Sequence, residues 1–140
     1  MTWFYKGTEF KSEDIDGHLG FVYVITDLST GMKYIGKKTL VSTKRLPPLK
    51  GKTRKRVVIK ESDWKEYYGS SEEVKKLVEE KGSSNFHREI LRLCKSKGEM
   101  SYYEMKYQLE TDCLLRPNEY HNAFVGGKIH RNHLKGLVPE

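Results

Sequence analysis

A chain of 140 residues with 36% hydrophobic, 32% charged and 11% aromatic side chains has room for one domain with a modest core, and its aromatic content excludes the disordered class. No stretch approaches the roughly 20 apolar residues of a membrane-crossing helix, and no basic stretch followed by an apolar run opens the sequence, so a cytoplasmic protein without membrane contact is expected. The formal net charge of +7 is concentrated: Lys37 to Lys60 holds ten lysines and arginines and no acid, while the rest of the chain has more acids than bases.

The elements read in chain order. Residues 21–26, FVYVIT, have strand character, DLSTG supplies turn residues, and MKYIGKK resumes the strand, which makes a β-hairpin. TLVSTKR and RKRVVIK are further extended runs around PPLKGK, so 39–60 reads as an inserted loop or hairpin within a basic insertion of about 37–60. ESDWKEYY has helical signals, with Ser62 or Asp63 as cap and Gly69 as interruption. Ser70 and Glu73 have capping-box spacing for a second helix, with Val74, Leu77 and Val78 as its apolar stripe and Gly82 as its end.

NFHREILRLC is short, apolar and bounded by SSN and KSKG, and so predicts a partly buried strand. Met100, Tyr103, Tyr107 and Leu114 recur at helical spacing, and the longest helix is expected from Glu99 to about Leu115, closed by Pro117. The glycine-punctuated tail predicts a loop and a docked extension over about 125–140. The pattern is an α+β fold: a small, mostly antiparallel three-stranded sheet flanked by helices, in one domain over 1–140 with its core at about 20–124.

A basic block of this size creates a positive potential that draws a polyanion, nucleic acid first; by itself it is equally a solvated loop. Cys94 and Cys113 have no CxxC partner, which excludes a disulfide framework or a cysteine zinc site. His130 and His133 have HxxH spacing, and His121 beside Asn122 invites an HNH reading, yet no third ligand completes a zinc set. Glu104, in YYEMKY, sits beside the apolar stripe of the long helix; such a carboxylate is usually a boundary residue with its head in water, but one facing a site is a hard ligand for magnesium.

FVY at 21–23 and YIG at 34–36 resemble the paired triplets of the GIY-YIG nuclease family, with Tyr23 and Tyr34 eleven positions apart. The downstream order is similar too: a strand, then a helical glutamate, Glu104, eighteen residues after Phe86, then Asn122 in EYHNAF. The resemblance spans roughly 20–124 and implies a small phage-type DNA endonuclease. It implies a magnesium ion on Glu104, which manganese can replace, and a catalytic set of Tyr23, Tyr34, Glu104 and Asn122. Tyr23 would act as general base or water-positioning group, with Tyr34 hydrogen-bonding beside it. A phenol of ordinary pKa near 10 is a poor base at neutral pH, so Lys37 or Lys38 would have to lower it. Gly36 would let substrate approach the strand end closely.

The family's arginine falls at a departure from the pattern. Its usual distance beyond the second tyrosine lands on Lys44 and Arg45, inside the basic insertion and ahead of any helix; Arg45 is ranked first, with Arg56 and Lys65 as alternatives. Lys37, Lys38, Lys44, Lys52, Arg54, Lys55, Arg56 and Lys65 are the expected DNA contacts. A homodimer would supply two sites for two strands. Homing, restriction-like and branch-processing roles stay open, as do a non-catalytic nucleic-acid-binding module and a factor that binds a host protein through the basic arm.

Overall fold

The computed structural model describes residues 2–54 and 56–139; Lys55, one of the expected DNA contacts, lies outside them. Seven strands and two helices follow one another: β1 (Trp3–Tyr5), β2 (Thr8–Phe10), β3 (Gly20–Asp27), β4 (Lys33–Thr39), β5 (Val41–Leu46), β6 (Arg56–Glu61), α1 (Glu72–Lys81), β7 (Phe86–Cys94) and α2 (Lys97–Glu110). The main sheet has the order β2-β1-β7-β3-β4, and β5 and β6 form a separate two-stranded ribbon.

The expected three strands are its β7-β3-β4 half, but the sheet is larger and mixed. WFYKGTEF adds a hairpin whose two-residue turn, Lys6-Gly7, has positive φ at both positions, the geometry that suits the twist of flanking strands. β1 then pairs parallel with β7, while β3 pairs antiparallel with both β7 and β4. Three-residue strands are too short to show periodicity, so the sequence pattern does not reveal this hairpin.

β3 is buried on both faces, so its apolar run is nearly continuous. Phe21, Tyr23 and Ile25 point to one face and join Trp3, Phe10, Leu40, Trp64, Phe86 and Ile90. Val22 points to the other, where Ile35, Cys94 and the α2 residues Met100 and Tyr103 pack. Between β3 and β4, the buried Asp27 carboxylate accepts from the Ser29 backbone (3.0 Å), Asn85 Nδ2 (2.8 Å) and Lys81 Nζ (2.6 Å), tying the hairpin turn to the end of α1. Burial opposes its charge, yet the hydrogen bonds from Lys81, Ser29 and Asn85 hold the carboxyl well below the usual carboxylate range.

Three helical expectations shift. ESDWKEYY forms only a 3-10 turn over Trp64–Glu66, because outside donors take its carbonyls: Trp3 Nε1 binds Trp64 O at 2.7 Å, and Arg88 binds Lys65 O and Tyr67 O at 2.9 and 2.8 Å. α1 is capped by Ser71 rather than Ser70. α2 starts at a Ser96 cap and ends at Glu110, since Asp112 takes a left-handed conformation and starts a separate 3-10 turn over Cys113–Leu115.

The outer edge of β4 is covered by the segment after α2. Lys33 N donates to Glu119 O and His121 N donates to Lys33 O, both at 2.8 Å. At the other end of β4, fully buried Leu40 turns the chain outward into the ribbon. No helix among the described residues is long and apolar enough to cross a membrane.

Candidate active site

The alternation of β4 decides which of its side chains meet. Tyr23 lies opposite Gly36 and Ile25 opposite Tyr34, so both tyrosines share the first face; Ile35 and Lys37 point to the second, under α2. Glu104 rises from α2 on that second face. The two groups converge at the edge of β4, where Tyr34, Ser70, Glu104, Gln108, His121 and Asn122 line a cavity of about 370 Å³.

Tyr23 stands behind this cavity, fully buried, with ring centroids 6.4 Å from Tyr34 and 5.9 Å from Tyr67. Its hydroxyl occupies the space that a Cβ on Gly36 would need, and it makes no hydrogen bond to a described residue. Gly36 is therefore filled by Tyr23 itself, a reason for that glycine different from the expected approach of substrate. Gly69, at φ +96°, closes the other side, where a Cβ would lie 3.4 Å from the same hydroxyl. Burial, then the Tyr67 phenol, through its charge and a loose hydroxyl contact that falls short of hydrogen-bond geometry, and after it Tyr34 and the Glu104 carboxylate, push the Tyr23 pKa well above that of an ordinary phenol.

Tyr34 is half-buried and shares a 3.0 Å hydrogen bond with Ser70 Oγ. Burial raises its pKa, partly offset by that hydrogen bond. Neither lysine after YIG pairs with the Tyr23 or Tyr34 hydroxyl. Lys37 Nζ donates to Ser101 Oγ at 2.8 Å and lies 3.9 Å from Glu104 Oε1, while Lys38 Nζ pairs with Asp63 at 2.6 Å and sits 4.4 Å over the Tyr67 ring.

The Glu104 side chain is 17% exposed, and burial raises its pKa despite the pull of Lys37. Asn122 accepts from Ile35 N at 3.0 Å and donates to Ile35 O at 2.8 Å, and Gln108 Nε2 donates to the same carbonyl at 3.1 Å. Together these amides continue the hydrogen-bond ladder beyond the sheet edge and fix the strand that carries Tyr34.

Arg45 stands exposed on the ribbon, opposite Val57, with Lys44 beside it. Arg56, at the start of β6, donates to Pro47 O at 3.3 Å. Lys52 and Arg54 are exposed between the two ribbon strands, and Lys65 Nζ lies 5.7 Å from the Trp64 ring. Among the described residues no arginine lines the cavity.

Sequence reasoning misses four contributors. Gln108 lies one helical turn beyond Glu104, a spacing that puts both on one face and is readable from sequence. Ser70 has the pattern of a cap, which conceals its place in the wall. His121 packs into the wall with its Nδ1 3.4 Å from Glu73. Arg88, in a strand expected to be only partly buried, is fully buried, with its guanidinium 4.7 Å from the Trp3 ring and 4.2 Å from that of Tyr68; it holds the 65–67 backbone that leads to Gly69 and Ser70.

A family model described as "Putative endonuclease segE, GIY-YIG domain" matches residues 3–129. The chain belongs to the GIY-YIG nuclease family. No curated protein and no solved structure is matched by the chain. The GIY-YIG match extends to Trp3, so the N-terminal hairpin that completes the sheet falls within the domain.

Members of such a family use a divalent metal, and the donor set can be tested against one. Among the described residues no three His, Cys, Asp or Glu side chains are grouped to form a protein cage. Two glutamates line the cavity: Glu72, at the start of α1, has a side chain 91% exposed, whereas Glu104 is the enclosed one, its charge disfavoured by burial and Lys37 lying 3.9 Å away. One carboxylate facing an open space suits magnesium, which keeps most of its water shell, and does not suit zinc.

Proposed function

We propose that the chain is a magnesium-dependent DNA endonuclease that hydrolyses a phosphodiester bond at the β4 edge. The observation that carries the reading is the convergence of Tyr34 and Glu104 on one cavity from opposite faces of the sheet, with the unpartnered Tyr23 hydroxyl behind them. Glu104 would hold the ion, with Lys37 beside it as the cation facing the phosphate. Bound magnesium neutralises charge on the phosphate and on the departing 3′ oxygen.

The phenols act uncharged in this proposal. A buried hydroxyl without a partner costs roughly 1–3 kcal/mol, and such a group is retained where a ligand supplies the missing partner. Tyr23 offers that hydroxyl to the attacking water or the phosphate once Tyr34 shifts aside, and it orients rather than abstracts a proton. Asn122 and Gln108 are positioning residues that fix β4 through Ile35. Arg45 belongs to the DNA-gripping ribbon with Lys44, Lys52, Arg54 and Arg56. Two copies would be needed to cut both strands, and a phage homing or DNA-processing role suits a small nuclease of this kind.

Supercoiled plasmid incubated with the protein tests the reading: nicking that needs magnesium and stops with a chelator is expected, and no nicking of any duplex or branched DNA would sink it. The absence of an arginine in the cavity wall favours one alternative, a module that binds DNA without cutting. That module would show salt-dependent affinity, because phosphate contacts release counterions, and no nicked product under any metal.

A further inference from the structure

The cavity makes no use of the outer part of the ribbon. The register of β5 and β6, Val41 with Glu61 through Leu46 with Arg56, sorts its side chains. Thr43, Arg45, Val57 and Ile59 share one face; Lys44, Arg56 and Lys60 share the other with Val58. Val57 and Ile59 are 60% and 69% exposed, against 42% for Val58 on the other face, and among the described ribbon residues only Val41, at its root, packs against a core cluster. Two adjacent β-branched side chains left in water on one face mark an interaction surface.

Charge selects the partner. With ten cations and no acid between Lys37 and Lys60, a second copy of the ribbon is repelled and a polyanion is drawn. Size agrees: two strands with their side chains are roughly 10 Å wide, and the DNA major groove, about 12 Å wide, admits a two-stranded ribbon. Six residues per strand span about 20 Å, or roughly six base pairs.

We propose that the β5–β6 ribbon lies in the major groove of duplex DNA and selects where the enzyme acts. Thr43, Val57 and Ile59 contact thymine methyl groups and Arg45 a guanine edge, while Lys44, Arg56 and Lys60 reach over the strand edges to flanking phosphates. The ribbon leaves β4 at Leu40, and Tyr34 lies on that same strand. The selected bases therefore lie about 20 Å, or roughly six base pairs, to one side of the scissile bond. The proposal rests on the nuclease reading for the fate of the DNA, though the docking itself does not.

The test selects bound duplexes from a random-sequence pool with the full chain in EDTA, so that binding is read without cutting. The preferred site is then remade with deoxyuridine in place of thymidine. Wild type is expected to yield a thymine-containing block of about six base pairs and to lose about four-fold in affinity per contacted methyl removed. Val57→Ala/Ile59→Ala loses most of the discrimination and keeps only the share of Thr43; Val58→Ala, on the opposite face, keeps it whole. Lys44→Ala/Arg56→Ala/Lys60→Ala weakens binding to every sequence and lowers the salt slope by about 3. A pool without sequence preference, or methyl discrimination unchanged in Val57→Ala/Ile59→Ala, would overturn the proposal. So would a dimer that dissociates in that variant while DNA preference stays the same. Plasmid nicking is scored separately: a protein that selects thymine-bearing sites and cuts nothing keeps the ribbon proposal and loses the nuclease, and one that cuts without methyl discrimination does the reverse.

Discussion

Tyr23→Phe removes one oxygen from the most enclosed position of the site, and stability and activity should respond in opposite ways. The hydroxyl is buried with no hydrogen-bond partner among the described residues, in the space beside Gly36 and against Gly69. Deleting it forfeits only a loose contact with the Tyr67 hydroxyl and relieves a desolvation cost of roughly 1–3 kcal/mol, so the melting temperature should hold or rise by several degrees. The ring contacts with Trp3, Phe21, Tyr34 and Tyr67 stay in place. Nicking should fall by about 100-fold or more, the usual worth of one preorganised hydrogen-bond donor. Thermal unfolding by circular dichroism and plasmid nicking, run on one preparation, read both. A melting temperature lowered by more than a few degrees would mean that the hydroxyl is bonded in the folded protein. Unchanged nicking would remove it from the chemistry.

Gly36→Ala pushes a methyl group into the Tyr23 ring, whose Cζ lies 2.6 Å from the added carbon; a loss of about 1–3 kcal/mol and of nicking is expected, and a wild-type melting temperature would contradict the packing described. Asp27→Asn leaves Lys81 beside a neutral amide and should cost about 2–3 kcal/mol at neutral pH. The Asp27 pKa is depressed in the fold, so its contribution is complete above the ordinary carboxylate range and is lost as pH falls below about 4. Denaturant midpoints of the two proteins should therefore converge in acid, and a constant gap from pH 7 to pH 2 would refute the assignment. Arg88→Lys keeps the charge but not the planar guanidinium that lies against the Trp3 and Tyr68 rings while its Nη1 reaches two carbonyls. It should destabilise by about 3 kcal/mol and slow nicking by loosening the 65–70 segment, and equal stability would show that charge alone suffices.

That Tyr34, Glu104 and Asn122 meet at one cavity follows the order of their motifs along the chain, and the β3–β4 hairpin, α1, β7 and the ribbon are legible from local pattern. The illegible features depend on contacts between distant segments. Nothing near ESDWKEYY reveals that Trp3 and Arg88, from two other strands, take its carbonyls and leave a 3-10 turn. Asn122 reads as catalytic in sequence, yet both of its polar atoms bind the Ile35 backbone. Lys37 and Lys38 look alike as neighbours, and strand alternation sends them to opposite faces, one to Glu104 and one to Asp63. The β1–β2 hairpin is hidden by its brevity, and only its Lys6-Gly7 turn hints at it.

In the proposed reaction Glu104 ionises in a buried setting to serve catalysis and not stability. Burial raises its pKa, so the folded protein holds that proton more tightly than the unfolded chain does, and the ionised carboxylate lowers stability at neutral pH. Wild type and Glu104→Gln, compared on supercoiled plasmid in magnesium with unfolding measured in parallel, test this most directly. No detectable nicking by Glu104→Gln is expected, together with equal or greater stability. Nicking at the wild-type rate by Glu104→Gln would contradict that role.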